Sequence, residues 1–272
     1  MPTTYAHYKL GAKVIESLPE PVKENVLQYR GLFDIGVHGP DIFFYHNPIM
    51  QSSLVRLGVT MHHEAGEVFF KRAAAVVRKN THKEAHKAYL YGFLCHFALD
   101  VTCHGYIGEY IEKSGVGHYE IEAEFDRELL ERDGFTAVSK CLTGHLCASE
   151  ENAAVISDFW KEVSAKQAKQ TIGRMIFFLN ILRAPSRLKR EILFGIMKLA
   201  GLYEPMHGLV INYQENPACR ESTDWLMEHF DEAVILATRL IMEYEKYIQT
   251  GGCLSDTFSY DFESEKRKQE QL

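Results

Sequence analysis

The sequence predicts an all-α fold, and three observations support this prediction. Apolar residues recur at spacings of three and four along most of the chain, so they fall on one face of a helix. Pro, Gly, Ser and Thr separate these periodic segments at positions where helices stop and start. No run alternates apolar and polar residues as a half-buried strand does. We therefore expect a single multi-helix domain over residues 1–250 and a C-terminal tail over residues 251–272.

Helix breakers divide the first half of the chain into five predicted helices. These span residues 5–18, 22–29, 60–79, the stretch from the Thr81 cap to the break at 115–117, and residues 118–132. Thr81 and Glu84 form a capping-box sequence at the start of the fourth helix. Residues 31–48 are rich in Phe and Tyr but interrupted by Gly and Pro, which predicts an ordered loop that packs inward.

The second half, residues 133–250, predicts additional C-terminal helices. They are expected to run from Ser149 to Val163, onward to Leu182, from Ser186 to Leu199, and from Ser222 to Ile248. A serine at the start of a helix can accept a hydrogen bond from a backbone amide that has no partner within the helix. The charged end of the tail, residues 263–270, is expected to be a frayed helix or disordered.

Composition and charge narrow the possible functions. The chain has 272 residues, 46% of them hydrophobic, and a formal net charge of −7. This charge argues against general affinity for duplex nucleic acid or anionic membranes, but it leaves room for a small anionic substrate held by metal ions. The N-terminal residues do not resemble a signal peptide, and no apolar run is long enough for a transmembrane segment, so we expect a cytoplasmic protein. Six cysteines without a CxxC pair are expected to be reduced.

One stretch, residues 96–104, carries the clearest chemical signal. His96, Asp100 and His104 recur every four residues, so a helix stacks them on one face. The residues between them are mostly apolar, which predicts that the helix is buried. Imidazoles and a carboxylate buried together need a partner for their lone pairs and charge, and a bound cation supplies one.

Other segments of the first 122 residues offer further ligands for a metal ion. The additional candidates are His7, Asp41, His62, His118 and Glu122. Imidazole and carboxylate ligands without thiolates suit catalytic zinc, and eight ligands are enough for two or three ions. Each residue also has a purely structural interpretation, because a lone buried histidine is usually hydrogen-bonded and Asp41 follows a Gly-Pro turn.

The order and spacing of these motifs resemble the bacterial zinc-dependent phospholipase C family, which is related to the zinc-dependent single-strand nucleases of fungi and plants. The resemblance covers roughly residues 1–130. It implies a phospholipase C/nuclease-like helical domain with a trinuclear zinc site. The implied ligands are Asp41, His62, His96 and Asp100 for the first ion, His104, His118 and Glu122 for the second, and His7, a bridging Asp100 and the N-terminus of the chain for the third.

Two details of the ligand set remain open at the sequence level. Secreted members of the family have an N-terminal Trp after processing, whereas here removal of Met1 would leave Pro2 five positions before His7. His62 is preferred to the adjacent His63 because of its match to the Met-His motif.

The motifs and the resemblance together predict a zinc-dependent phosphodiester hydrolase, in which a metal-activated water attacks phosphorus. Asp41 is the expected catalytic residue that orients or deprotonates this water. The expected substrate is a phosphodiester, including a phospholipid headgroup ester. The alternatives are a zinc-dependent nuclease or other phosphoesterase, and a non-catalytic metal-binding or scaffold protein on the same fold.

Overall fold

The computed structural model describes residues 4–48 and 52–267. These residues form helices joined by short connecting segments, and they contain no strand. The all-α prediction is therefore confirmed. The α-helices are α1 (Thr4–Ser17), α2 (Val22–Gln28), α3 (Arg30–Gly36), α4 (Ser53–His62), α5 (Gly66–Lys79), α6 (Lys83–Ser114), α7 (His118–Arg132), α8 (Glu150–Ser157), α9 (Ala165–Leu182), α10 (Arg187–Leu199), α11 (Tyr203–Met206) and α12 (Arg220–Thr250). Short 3-10 helices lie at Gly39–His46, Ala137–Ser139, His207–Leu209, Pro217–Cys219 and Asp256–Ser259.

Helix α6 is the centre of the fold. It is buried along most of its length, and α3 and α12 make the most extensive contacts with it. A single large hydrophobic core joins these helices to α1, α5 and α7. A second, smaller cluster forms around Ala184, Met197 and Val210, where α10 packs on the segments that flank it. Within the described ranges, none of the helices has the length and hydropathy that a membrane span requires.

Two glycines allow α3 and α6 to cross at close range. A Cβ atom on Gly92 would lie 2.2 Å from the carbonyl oxygen of Phe33, and one on Gly36 would lie 2.2 Å from that of Tyr89. These neighbours are backbone atoms, so neither helix can yield locally. The crossing holds α3, and the segment that follows it, against the central helix.

We expect Gly92→Ala to destabilise the protein by about 1–3 kcal/mol or more, because the added methyl group separates the two helices. Gly108→Ala is the matched control, since Gly108 lies on the same helix with nothing within 4 Å of an added Cβ. It should be neutral or stabilising by up to about 1 kcal/mol, owing to the higher helix propensity of alanine. Urea unfolding measures both effects, and equal stability of the two variants would contradict the prediction.

Two predictions for the first half were wrong. Residues 31–48 pack inward as expected, but they are not a loop: they form all but the first residue of α3 and then the 3-10 helix Gly39–His46. The breakers lie at the ends of these helices, with Gly36 closing α3 and Pro40 in the first turn of the next, where a missing amide costs nothing. The helix predicted over residues 60–79 is two helices, α4 and α5, and α4 starts at Ser53 because the Ser52 side chain accepts a hydrogen bond from the Val55 amide.

The predicted caps were partly right. Ser149 and Ser186 accept hydrogen bonds from backbone amides at the starts of α8 and α10. Thr81 does not cap α6; instead the Asn80 side chain accepts a hydrogen bond from the His82 amide, which precedes the helix. Helix α8 ends at Ser157 rather than Val163.

The tail differs most from the expectation. Residues 263–267 of that segment are neither a frayed helix nor disordered, because they hydrogen-bond to the preceding part of the tail, in which Phe258 and Phe262 are fully buried in the main core. The buried Asp261 carboxylate accepts hydrogen bonds from the amides of Glu263 and Glu265 and from the Arg267 guanidinium. Residues 268–272 lie outside the described residues.

Candidate metal centre

Helix α6 carries the central part of the site. His96, Asp100 and His104 are all buried, and their spacing stacks them along one side of the helix. The structure brings the other five predicted side chains to this side of α6. They are His7 from α1, Asp41 from the 3-10 helix Gly39–His46, His62 from α4, and His118 and Glu122 from α7.

The first group consists of Asp41, His62 and His96, whose nitrogen and oxygen atoms lie within 4.8 Å of one another. The Asp41 Oδ1 atom is 3.1 Å from His62 Nε2 and 4.0 Å from His96 Nε2. Gly39 has a φ of +48°, and a Cβ there would lie 2.3 Å from the His96 ring. Only glycine therefore lets the Gly-Pro-Asp segment approach α6 closely enough to place Asp41 in the group.

Asp100 lies at the junction of the groups. Its Oδ2 atom is 2.9 Å from His96 Nε2, and its Oδ1 atom is 3.5 Å from His7 Nε2 and 3.9 Å from His104 Nε2. The rings of His7 and His96 stack at 4.3 Å, and both belong with Asp100 to a second group. A carboxylate whose two oxygens face different imidazoles is suited to bridging two ions, the role that the family resemblance implies for Asp100.

The third group consists of His104, His118 and Glu122. The Glu122 carboxylate lies 3.6 Å from His104 Nε2 through one oxygen and 3.2 Å from His118 Nε2 through the other. Glu122 is buried, whereas the His118 side chain is 34% exposed. This group therefore lies nearer the surface than the other two.

The donor atoms fit a zinc site. Zinc binds imidazole nitrogens and carboxylate oxygens at about 2.0–2.2 Å, so two ligands of one tetrahedral ion lie about 3.3 Å apart. The imidazole–carboxylate separations within the three groups, from 2.9 to 4.0 Å, bracket that value. Moreover, His96 Nε2 and Asp100 Oδ2 lie 2.9 Å apart without the geometry of a hydrogen bond, and both are buried with no other partner among the described residues. This is costly unless something else compensates them. A shared cation would do so, and its presence remains a prediction.

Two of the histidines are oriented by backbone carbonyl groups. His62 Nδ1 donates a hydrogen bond of 2.8 Å to the Gly58 carbonyl, and His104 Nδ1 donates one of 2.6 Å to the Phe262 carbonyl. Because a carbonyl can only accept, the proton of each neutral ring is on Nδ1 and the Nε2 lone pair faces the group. Such contacts orient metal-binding histidines and increase their basicity.

Burial and neighbouring charges shift the pKa values of three candidate ligands. They favour neutral His7 and ionised Asp100, the forms that bind a metal ion, but they favour protonated His104. Burial lowers the pKa of His7 to about 3, so this ring is neutral at pH 7. Burial opposes ionisation of Asp100, but the nearby imidazoles of His96 and His104 outweigh it and lower the pKa to about 2. Burial also disfavours the charged ring of His104, yet the carboxylates of Asp100 and Glu122 raise its pKa to about 10. An ion bound here must displace this proton, so binding weakens as the pH falls.

Asp126 fixes the start of α1 and thereby the position of His7. Its two carboxylate oxygens accept hydrogen bonds of 2.9 and 2.8 Å from the amides of Tyr5 and Ala6. The first amides of a helix have no partner within it, and a carboxylate there also interacts favourably with the helix dipole. Asp126 is thus a positioning residue that the sequence analysis did not identify, although it lies one helical turn after Glu122.

A cavity of about 270 Å³ opens onto the three groups. The side chains that line it are His7, Asp41, His62, Asp100, His104 and His118 from the groups, together with Phe44, Val59, His63, Tyr119 and Glu263. The sequence analysis did not single out Phe44, Tyr119 or Glu263. Glu263 comes from the tail, and its carboxylate lies 3.8 Å from His104 Nδ1. No local sequence pattern could have connected it with a site formed by the first 122 residues.

The structure bears on the two details left open by the sequence. His62 is buried within the first group, whereas His63 is exposed and belongs to none of the three groups. The N-terminus predicted as a ligand of the third ion lies outside the described residues.

Comparison with known proteins agrees with this geometry. The family model described as zinc dependent phospholipase C matches residues 6–174, a range that contains all eight predicted ligands. Searches of curated proteins and of solved structures give no significant match. The match covers more than half of the chain, which therefore belongs to the zinc-dependent phospholipase C family.

Proposed function

We propose that this protein is a zinc-dependent hydrolase of phosphodiester bonds in phospholipid-type substrates. The observation that carries the proposal is the convergence of three imidazole and carboxylate groups on one cavity. Six of the eight side chains line this cavity, and the other two, His96 and Glu122, lie directly beside them. An open cavity favours catalysis over a closed structural site, in which protein ligands complete the coordination.

The ligand sets that we propose follow the three groups. Asp41, His62, His96 and Asp100 would hold one ion, His104, His118 and Glu122 a second, and His7 with Asp100 a third. When bound, zinc offsets the charge of the phosphate and lowers the pKa of water. These side chains would keep the ions at the base of the cavity, where the phosphate of the substrate could reach them.

Asp41 is the residue that we assign to proton transfer. Burial opposes its ionisation, but the nearby imidazoles of His62 and His96 hold the pKa of Asp41 well below its usual range. The carboxylate at the cavity wall can therefore orient a water molecule and accept its proton. In the reaction, a bond forms between the water oxygen and phosphorus, the bond from phosphorus to the glycerol oxygen breaks, and a proton passes to that oxygen.

The side chains in the wall of the cavity favour a substrate with a cationic headgroup. Phe44 and Tyr119 contribute aromatic rings, and Glu263 contributes a carboxylate that is 37% exposed. Aromatic faces and a carboxylate together attract an ammonium group. We propose that these three side chains contact the headgroup while the phosphate occupies the base of the cavity.

The test is a parallel assay of the full-length protein on short-chain phosphatidylcholine, bis-p-nitrophenyl phosphate and single-stranded DNA. We expect release of diacylglycerol and a phosphorylated headgroup, loss of this activity on chelation, and recovery with added zinc. Cleavage of DNA without hydrolysis of phospholipid would assign the site to a nuclease. Lack of hydrolysis of all three substrates by zinc-loaded protein would assign it to a non-catalytic metal-binding role.

A further inference from the structure

One segment of this acidic chain is strongly basic. Residues 165–199, which comprise α9, α10 and the link between them, contain eight Lys or Arg residues and one Glu. The whole chain has a formal net charge of −7. The rest of the protein is therefore strongly acidic, and an argument from the average charge does not apply to this segment.

Helix α10 exposes an aliphatic stripe. Leu188, Ile192, Ile196 and Leu199 are 68, 55, 59 and 92% exposed. Their spacing of three and four residues places them along one side of the helix. The opposite side of α10 packs inward through the buried Met197. The exposed stripe is therefore not the surface that holds this helix on the protein. Contiguous exposed apolar surface of this kind indicates an interaction site.

Basic side chains flank this stripe. At 100° per residue, Lys189 falls on one side of the stripe, and Glu191, Lys198 and Arg187 fall on the other. The Lys189 ammonium donates hydrogen bonds to the backbone carbonyls of Asn180 and Arg183, whereas Arg187 and Lys198 are exposed. Within the described ranges, none of the three basic side chains forms an ion pair with a carboxylate. Aliphatic side chains bordered by a net positive charge are typical of helices that lie in a membrane interface.

The segment that follows α10 connects this surface with the cavity. Asn212 donates a hydrogen bond of 2.9 Å to Glu124 of α7, and His207 lies 4.0 Å from Glu120 in the first turn of the same helix. That turn also carries His118 and Tyr119, which line the cavity. The exposed stripe is therefore joined through a short structured segment to one wall of the cavity.

We propose that α10 docks the protein on an anionic phospholipid surface, with the stripe inserted among the lipids and the basic side chains at the headgroups. The proposal rests on the proposed function in that lipid docking would bring the cavity to its substrate. A second copy of the chain is a poorer occupant, because pairing two such stripes would bring like charges together. Single-stranded nucleic acid is also a poorer one, because the exposed side chains are aliphatic, whereas its bases stack on aromatic rings.

The experiment measures binding of the zinc-loaded full-length protein to sedimented vesicles made from lipid analogues in which a P–C bond replaces the P–O bond to glycerol, so that they cannot be hydrolysed. Vesicles of phosphatidylcholine are compared with equimolar phosphatidylcholine and phosphatidylglycerol, and we expect preferential binding to the anionic vesicles. The variant Ile192→Ser with Ile196→Ser should weaken this binding about tenfold or more, because two inserted aliphatic side chains are lost. Ile235→Ser is the matched control, since Ile235 is 71% exposed on α12; it should bind like the unmodified protein.

A second pair of variants tests the charges. Arg187→Gln with Lys198→Gln should weaken binding to anionic vesicles about tenfold or more, because two cationic side chains that attract the anionic headgroups are lost. Arg239→Gln with Lys246→Gln, two exposed basic residues of α12, makes the same change in net charge elsewhere and should have a smaller effect.

The outcomes separate this proposal from the proposed function. Vesicle binding that depends on α10 would support docking even if no substrate is hydrolysed. Unchanged hydrolysis of bis-p-nitrophenyl phosphate by the α10 variants would show that the cavity is intact. Equal binding by the α10 variants and the α12 controls would overturn the proposal. So would a dimer in sedimentation velocity that the Ile192 and Ile196 changes dissociate, since it would assign the stripe to a second copy of the chain.

Discussion

Asp100→Ala is expected to lower the zinc content by more than one ion per chain and to reduce phosphodiester hydrolysis about a hundredfold or more. Asp100 faces His7, His96 and His104 through its two oxygens, so its loss affects neighbouring groups at once. His96→Ala should have a similar effect, because His96 belongs to two of the three groups. Metal analysis of protein purified without added zinc, together with steady-state rates, measures both quantities.

His63→Ala is the control for these variants. It removes an imidazole next to a predicted ligand, but from an exposed position outside the three groups. We expect unchanged zinc content in this variant and a reduced content in His62→Ala. Full zinc content and an undiminished rate in both Asp100→Ala and His96→Ala would contradict the proposed site.

Phe262→Ala is expected to weaken zinc binding about 10–100-fold, because the tail residue supports the ligand histidines. Its ring lies 5.6 Å from that of His62 and 5.9 Å from that of His96, and its carbonyl accepts the hydrogen bond from His104. The variant should also lose about 3–5 kcal/mol of stability, because the side chain is fully buried. Zinc titration in a competing chelator measures the first effect and chemical unfolding the second.

Phe258→Ala separates the two effects. Phe258 is fully buried in the same tail and contacts Phe70 and Phe97, but none of the ligand imidazoles. The two variants should lose similar stability, and only Phe262→Ala should lose zinc affinity beyond the shared effect. Equal zinc affinities would show that the tail stabilises the fold without supporting the site.

Ligands that share one helix could be predicted from spacing alone. His96, Asp100 and His104 lie one turn apart on α6, and His118 and Glu122 do so on α7, so local helical geometry makes each set neighbours. His7, Asp41 and His62 are separated by long stretches of chain. Only the family resemblance connected them with α6 before the structure brought them together.

Errors in the predicted secondary structure have a common physical origin. Gly and Pro in residues 31–48 mark the ends of short helices, but in sequence the same residues are equally suited to a loop. Burial against α6 stabilises α3, whose seven residues would be marginal as an isolated helix. The charged end of the tail was misjudged for the same reason, since its composition does not show that the buried residues Asp261 and Phe262 before it hold it on the core.

The sequence by itself determined the helical class and the candidate ligand sets within α6 and α7, because both depend on residue types at fixed local spacings. It also carried the amphipathic pattern and basic charge of α10. Only the tertiary structure decided which elements converge on Asp100 and how its two oxygens are shared. It alone showed that the Phe262 carbonyl accepts a hydrogen bond from His104, because any residue type can supply a backbone carbonyl. It alone showed that the stripe of α10 is exposed, because exposure depends on how distant segments pack.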